Sequence, residues 1–151
     1  MFDKKITLFN QDVASQDEAL KILADEFLKA GVVNDKFYEG IKQREIIYPT
    51  GLLLENGMGV AIPHTDGDKV VRSQIGFMSL STPVIFKEMG QDDNPIEVSM
   101  IFMLALKEAH EQLETLSNLM NLFQNSEVME RLVNCSSVLE YDEIIKSSGL
   151  E

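Results

Sequence analysis

Val98-Ser99-Met100-Ile101-Phe102-Met103-Leu104-Ala105-Leu106 is the longest apolar stretch of the chain. It falls well short of the ~20 residues that a membrane-spanning helix needs. A nearly continuous apolar run of this length is what a strand covered on both faces requires. Residues 97–106 are therefore predicted to form a strand with helices packed over both of its sides. Working outward, further strands are expected at 5–9, 58–63 and 74–80, where Ile75-Gly76-Phe77-Met78 is the apolar centre, with a shorter one at Val84-Ile85-Phe86.

Helical signals alternate with these strands. Ser15-Gln16-Asp17-Glu18 has the spacing of a capping box, in which hydroxyl and carboxylate satisfy free amides at a helix start. Behind it, Leu20, Leu23, Ala24, Phe27 and Leu28 repeat at helical spacing and define one apolar face. Gly31 is placed to end that helix as a C′ residue. Asn34 is expected to cap a second helix through about Ile47. Tyr48-Pro49-Thr50-Gly51 breaks it, because a residue before proline avoids the α region. Leu113, Leu116, Leu119, Met120 and Phe123 mark a third helix, and 127–134 and 137–147 mark two more. The implied fold class is α/β: a single mixed, mostly parallel sheet of about five strands, flanked by helices on both faces. No linker or repeat interrupts the pattern, so residues 1–151 are expected to form one domain.

The charge narrows the function. Twenty-five acidic residues stand against 13 basic ones, a net charge of −12. A chain with no basic stripe suits neither nucleic acid nor an anionic membrane surface, and favours basic patches on other proteins. The single cysteine, Cys135, excludes an internal disulfide and points to a reducing, cytoplasmic setting. The N-terminal residues Met1-Phe2-Asp3-Lys4-Lys5-Ile6-Thr7-Leu8-Phe9 lack the apolar core of an export signal.

The chain has two histidines, and both stand where a strand is expected to end. His64 closes Gly59-Val60-Ala61-Ile62-Pro63-His64, and His110 opens the third helix. Ligands of open α/β sheets bind in the crevice outside the carboxyl ends of the strands, and imidazole is a good neutral nucleophile near neutral pH. Arg44 is the third candidate: Phe37, Ile41, Arg44 and Tyr48 fall on one helical stripe, so a guanidinium is expected among apolar side chains. It then snorkels out to water, pairs with a carboxylate such as Glu45 or Glu55, or faces an anion gripped by its fork of donors. The amides of residues 109–112 add a second positive element for an anion. The plainer reading makes each histidine structural, His64 bonded to a loop and His110 part of the core. The three together favour an anion-transfer site. Asp66 and Asp68 are read as solvated turn residues around Gly67. With Asp92-Asp93 they give only a weak metal signal, and no metal or cofactor is expected. The methionines are read as core and Cys135 as inert.

Gln43-Arg44-Glu45, Pro49-Thr50-Gly51 and Gly59-Val60-Ala61-Ile62-Pro63-His64-Thr65 resemble the motifs of fructose/mannitol-type enzyme IIA domains of the bacterial sugar phosphotransferase system. The resemblance continues through Pro95-Ile96-Glu97-Val98 and Phe102-Met103-Leu104-Ala105 to His110. Tyr48-Pro49-Thr50-Gly51 and Phe86-Lys87-Glu88-Met89-Gly90 make it most similar to the galactitol-specific branch. It implies a phosphoryl carrier in which His64 accepts a phosphoryl group from the phosphocarrier protein HPr. The group then passes to a cognate enzyme IIB, and through it to sugar at the membrane enzyme IIC. It also implies that Arg44 and His110 help to hold the group. Two other readings stay open: a regulatory relative, which commonly lacks an equivalent of His110, and a hydrolase using the histidines as acid and base.

Overall fold

The computed structural model describes residues 1–91 and 93–150. Its centre is the apolar run that the sequence singles out, now strand β5. In chain order the strands are β1 (Thr7–Gln11), β2 (Gly51–Leu53), β3 (Gly59–Ala61), β4 (Gln74–Lys87) and β5 (Pro95–Ala105). They form one five-stranded sheet in the order β1-β4-β5-β3-β2. β1 runs parallel to β4 and β3 parallel to β5, while β4–β5 and β2–β3 are antiparallel. The helices are α1 (Gln16–Lys29), α2 (Phe37–Ile47), α3 (Ala109–Phe123), α4 (Ser126–Val133) and α5 (Val138–Ser148). The expected α/β architecture, a single mixed sheet with helices on both faces, is the one observed.

Strand geometry explains why β5 has no polar face. Successive side chains point to opposite sides, so Met100, Phe102 and Leu104 enter one core and Ile101, Met103 and Ala105 the other. The first core is closed by Leu119, Leu122 and Phe123 of α3, Met129 of α4 and Ile144 of α5. The second is closed by Leu20, Leu23 and Phe27 of α1 and by Phe37 and Ile41 of α2. Phe102 meets Phe77 at 5.1 Å and Phe123 at 5.5 Å between ring centroids, within the range of favourable aromatic pairs.

Three local features differ from the sequence reading. The candidates 74–80 and 84–86 belong to one long strand, β4, whose register with β5 shifts between Ser79 and Val84. The break at Pro49 conceals a three-residue strand, β2, because the chain re-enters the sheet directly after the turn. α2 starts at Phe37, and Asn34 instead makes a local turn in which its Oδ1 accepts from the Lys36 N–H at 3.0 Å. The α1 start behaves largely as expected: Ser15 Oγ accepts from Glu18 N–H at 3.2 Å, and Glu18 Oε2 accepts from Ala14 N–H at 2.9 Å. Gly31 follows α1 with φ +75°, where glycine is favoured. No described helix is long and apolar enough to cross a membrane.

β3 and β5 approach closely at one point. A Cβ on Gly59 would lie 1.9 Å from the Glu97 carbonyl oxygen, so only glycine allows this parallel pairing. Gly59→Ala is expected to lower unfolding stability by about 3 kcal/mol, the upper range of overpacking costs. Urea denaturation measures this, and a loss below about 0.5 kcal/mol would show that the two strands separate without penalty.

Candidate functional site

Parallel pairing carries β3 to the site. Val60 and Ala61 pair with Met100 and Ile101. Beyond β3, the Leu104 N–H donates to the Pro63 carbonyl at 3.0 Å, and His64 bridges to Leu104. On the other side, the Ile62 N–H donates to the Thr50 carbonyl at 3.4 Å. The backbone entering His64 is thus held from both neighbouring strands, and the ring emerges at the carboxyl ends of β3 and β5 and the amino end of β2.

The ring is oriented by its own chain. His64 Nδ1 lies 2.7 Å from the Ile62 carbonyl oxygen. A carbonyl can only accept, so the neutral ring carries its proton on Nδ1 and keeps the lone pair on Nε2. Burial lowers the His64 pKa below the usual imidazole value, and the Arg44 charge acts in the same direction. The Ile62 carbonyl, weaker than burial but stronger than Arg44, opposes this, and Asp66 opposes it least. The imidazole is therefore neutral at pH 7, the form that acts as a nucleophile.

Arg44 and its surroundings revise the sequence reading. The buried positions of α2 are Phe37, Ile41 and Glu45, one residue round the helix from the expected stripe. Arg44 is half-exposed, with its Nη1 3.6 Å from Asp66 Oδ1 and its guanidinium 5.2 Å from the Tyr48 ring centroid. Its carboxylate partner is Asp66, in place of Glu45 or Glu55. Asp66 is the solvated turn residue expected and in addition pairs with Arg44, while Asp68 pairs with Lys69 at 3.1 Å. The loop is pressed against the end of β5 at Gly67, where a Cβ would meet the Lys107 carbonyl at 2.3 Å.

Glu45, read from the sequence only as a possible partner of Arg44, is instead a buried side chain bound to Thr50. It is 6% exposed. Its Oε2 accepts from the Thr50 N–H at 2.8 Å and its Oε1 from the Thr50 hydroxyl at 2.7 Å. Burial pushes its pKa up to about 7, against the lowering effect of the two Thr50 bonds. The i, i+4, i+8 spacing of Phe37, Ile41 and Glu45 was the signal available in the sequence.

His110 is the second residue of α3 and is exposed. It lines a cleft with Met1, Phe2, Ile75 and Thr115. Among the described residues, no hydrogen bond or ion pair joins it to His64, Arg44 or Asp66. Glu108 and Glu111 flank it, so the helix start expected to attract an anion carries two carboxylates. Glu111 Oε1 accepts from Glu108 N–H at 3.0 Å and from the Ser73 hydroxyl at 2.7 Å. The structure therefore groups His64, Arg44 and Asp66, and sets His110 beyond the end of the neighbouring strand. No cluster of metal-ligating side chains occurs among the described residues. Asp92 lies outside them, and Asp93 pairs with Lys87 at 2.7 Å. Cys135 is buried, and desolvation raises its pKa.

Comparison with known proteins fits this geometry. Residues 1–148 match the family described as phosphoenolpyruvate-dependent sugar phosphotransferase system, EIIA 2. The galactitol-specific EIIA component of Escherichia coli strain K12 is 30% identical over 118 residues, which cover 78% of this chain and 77% of that protein. A mannitol-specific enzyme IIA component of Staphylococcus aureus strain N315 is 28% identical over 149 residues, 98% of this chain and 96% of that one. The enzyme IIA of the Escherichia coli mannitol system, solved in complex with its phosphorylated enzyme IIB, has the same fold. Its TM-score is 0.75 at 22% identity, over 95% of this chain and 95% of that one. The chain belongs to the EIIA 2 family of the phosphoenolpyruvate-dependent sugar phosphotransferase system, and is an enzyme IIA component.

Proposed function

We propose that this single IIA domain is a cytoplasmic phosphoryl carrier that accepts a phosphoryl group from HPr on His64 and delivers it to a cognate enzyme IIB. The observation that carries the proposal is the hydrogen bond from Nδ1–H to the Ile62 carbonyl. It leaves Nε2 with a free lone pair on a ring that feels the charge of Arg44, the guanidinium paired with Asp66. The lone pair attacks phosphorus, the bond from phosphorus to its donor on HPr breaks, and a bond from phosphorus to Nε2 forms. The ring gains positive charge, which the Ile62 carbonyl stabilises through Nδ1–H. A positively charged ring is a good leaving group for the onward step.

Arg44 supplies the fixed positive charge. A loose phosphoryl transition state needs positioning and charge stabilisation above all, and a guanidinium fork matches two phosphoryl oxygens at once. Asp66 holds Arg44 in the resting site, and the incoming dianion takes its place. The family resemblance is the support for His110, exposed at the start of α3 past the carboxyl end of β5, as a second group that helps to hold the phosphoryl oxygens. Delivery to enzyme IIB is supported by the mannitol domain of the same fold that forms such a complex. The galactitol-specific relative supports galactitol or a related polyol as the sugar finally phosphorylated at the membrane enzyme IIC.

Incubation with phosphoenolpyruvate, enzyme I and HPr is expected to give acid-labile protein phosphate in the wild type and none in folded His64→Ala. Label persisting in that variant would move the acceptor elsewhere. Uptake that no enzyme IIB can drain would favour the regulatory reading.

Replacing Arg44 by Ala is expected to slow uptake by ~10–100-fold, the rate equivalent of a charge-assisted contact of roughly 1.5–3 kcal/mol. Lysine at this position should restore only part of the rate, because a point charge cannot grip two oxygens. Equal rates in stopped-flow transfer for all three proteins would make Arg44 structural. His110→Ala should also slow transfer while keeping the fold.

The pH dependence follows from the lowered His64 pKa. Protonation removes the nucleophile, so uptake should fall on the acid side with a midpoint below the free imidazole value. Above pH 7 it should be flat with respect to this group. A rate profile with an alkaline midpoint above pH 7 would contradict the neutral-ring assignment.

A further inference from the structure

The phosphoryl step as described makes no use of the most deeply buried carboxylate among the described residues. Glu45 sits next to Arg44 on α2, yet its side chain turns away from Arg44 and into the protein. There it grips Thr50 twice, through backbone N–H and hydroxyl. Thr50 is itself 4% exposed. Between them the chain passes Tyr48 and Pro49, and Pro49 has no N–H to donate. The double bond to Glu45 therefore ties the end of α2 to the start of β2.

Beyond Thr50 the connection continues by hydrogen bonds alone. The Thr50 carbonyl accepts from the Ile62 N–H, which extends the β2–β3 pairing by one step past Gly51 and Ala61. The Ile62 carbonyl, on the same residue, accepts from His64 Nδ1. Three links thus run from Glu45 through Thr50 and Ile62 to the ring. The opposite side of the segment is held independently, by Leu104 N–H on the Pro63 carbonyl. Loss of the Glu45 links would leave that anchor intact and free the Ile62 peptide to rotate.

Resting on the phosphoryl-carrier reading, we infer that Glu45 is a positioning residue that sets the tautomer of His64 through Thr50 and Ile62. Because Arg44 and Glu45 are consecutive on one helix, the same clamp fixes the guanidinium relative to the nucleophile. Either protonation state of Glu45 can serve. A protonated carboxyl donates to the Thr50 hydroxyl and still accepts from the Thr50 N–H. An amide does the same, so Glu45→Gln keeps the clamp, whereas Glu45→Ala removes it and Thr50→Val removes the hydroxyl half.

The test is the long-range 1H–15N NMR spectrum of the His64 ring in the unphosphorylated protein, slightly above neutral pH. Wild type and Glu45→Gln are expected to show one tautomer, with the proton on Nδ1. Glu45→Ala should show both tautomers in exchange, and Thr50→Val an intermediate mixture. In transfer from phospho-HPr, kcat of Glu45→Ala should fall ~10-fold, within the ~100-fold that a small misplacement of a reacting group costs. Its KM for HPr should not change, since Glu45 is 6% exposed and its truncation alters little of the surface. A pure Nδ1–H tautomer in folded Glu45→Ala would overturn the inference. If that variant does not fold, a pure Nδ1–H tautomer in Thr50→Val does so. The expected tautomer series in proteins that take no phosphate from HPr would uphold the positioning role and refute the carrier function.

Discussion

Strand β5 has no solvent face, and the rest of the fold meets that constraint. Met100, Phe102 and Leu104 on one side and Ile101, Met103 and Ala105 on the other must all leave water. Each large apolar side chain so buried contributes roughly 1.5–3 kcal/mol. No single layer of helices can cover both sides, so α1 and α2 close one and α3, α4 and α5 the other. The price is that β5 and its neighbours can expose function only at their ends. His64 stands at such an end, where β3 and β5 run parallel and share the hydrogen bond from Leu104 to Pro63.

An acidic protein that handles phosphate meets an electrostatic difficulty, and the site resolves it locally. The net charge of −12 acts on a dianion through a screening length of about 8–10 Å at ordinary ionic strength. Within that distance, the arginine beside the ring matters more than the distant carboxylates. Asp66 pairs with Arg44, so in the proposed carrier the guanidinium is held in place until a phosphoryl group displaces the carboxylate. The acidic surface in turn favours encounter with basic faces of partner proteins.

Much of this could be read in the residues. The unbroken apolar run of β5 demanded a doubly covered sheet, and chemistry and family resemblance singled out His64 and Arg44 as candidates. What stayed hidden depended on one-residue differences and on contacts distant in sequence. β2 is three residues long and lies immediately behind a turn signal, so no periodicity reveals it. The α2 stripe was read through Arg44 when the helix in fact buries Glu45, because positions i+7 and i+8 lie on either side of the same face. The partnership of Arg44 with Asp66 spans the turn after β2, the whole of β3 and the Pro63 exit, and only the folded chain brings them together. The fusion of 74–80 with 84–86 was obscured by the shift of register between them. His110 was placed correctly at a helix start, but its exposure and its acidic neighbours were not evident from spacing.

The proposed transfer rests on the chemistry of one ring nitrogen. The most direct measurement is 31P- and 15N-resolved NMR of the protein after phosphorylation by phosphoenolpyruvate, enzyme I and HPr. A phosphorus–nitrogen bond at Nε2 of His64, with the proton retained on Nδ1, is the predicted result. A bond at Nδ1 of His64, or phosphate on His110, would contradict it.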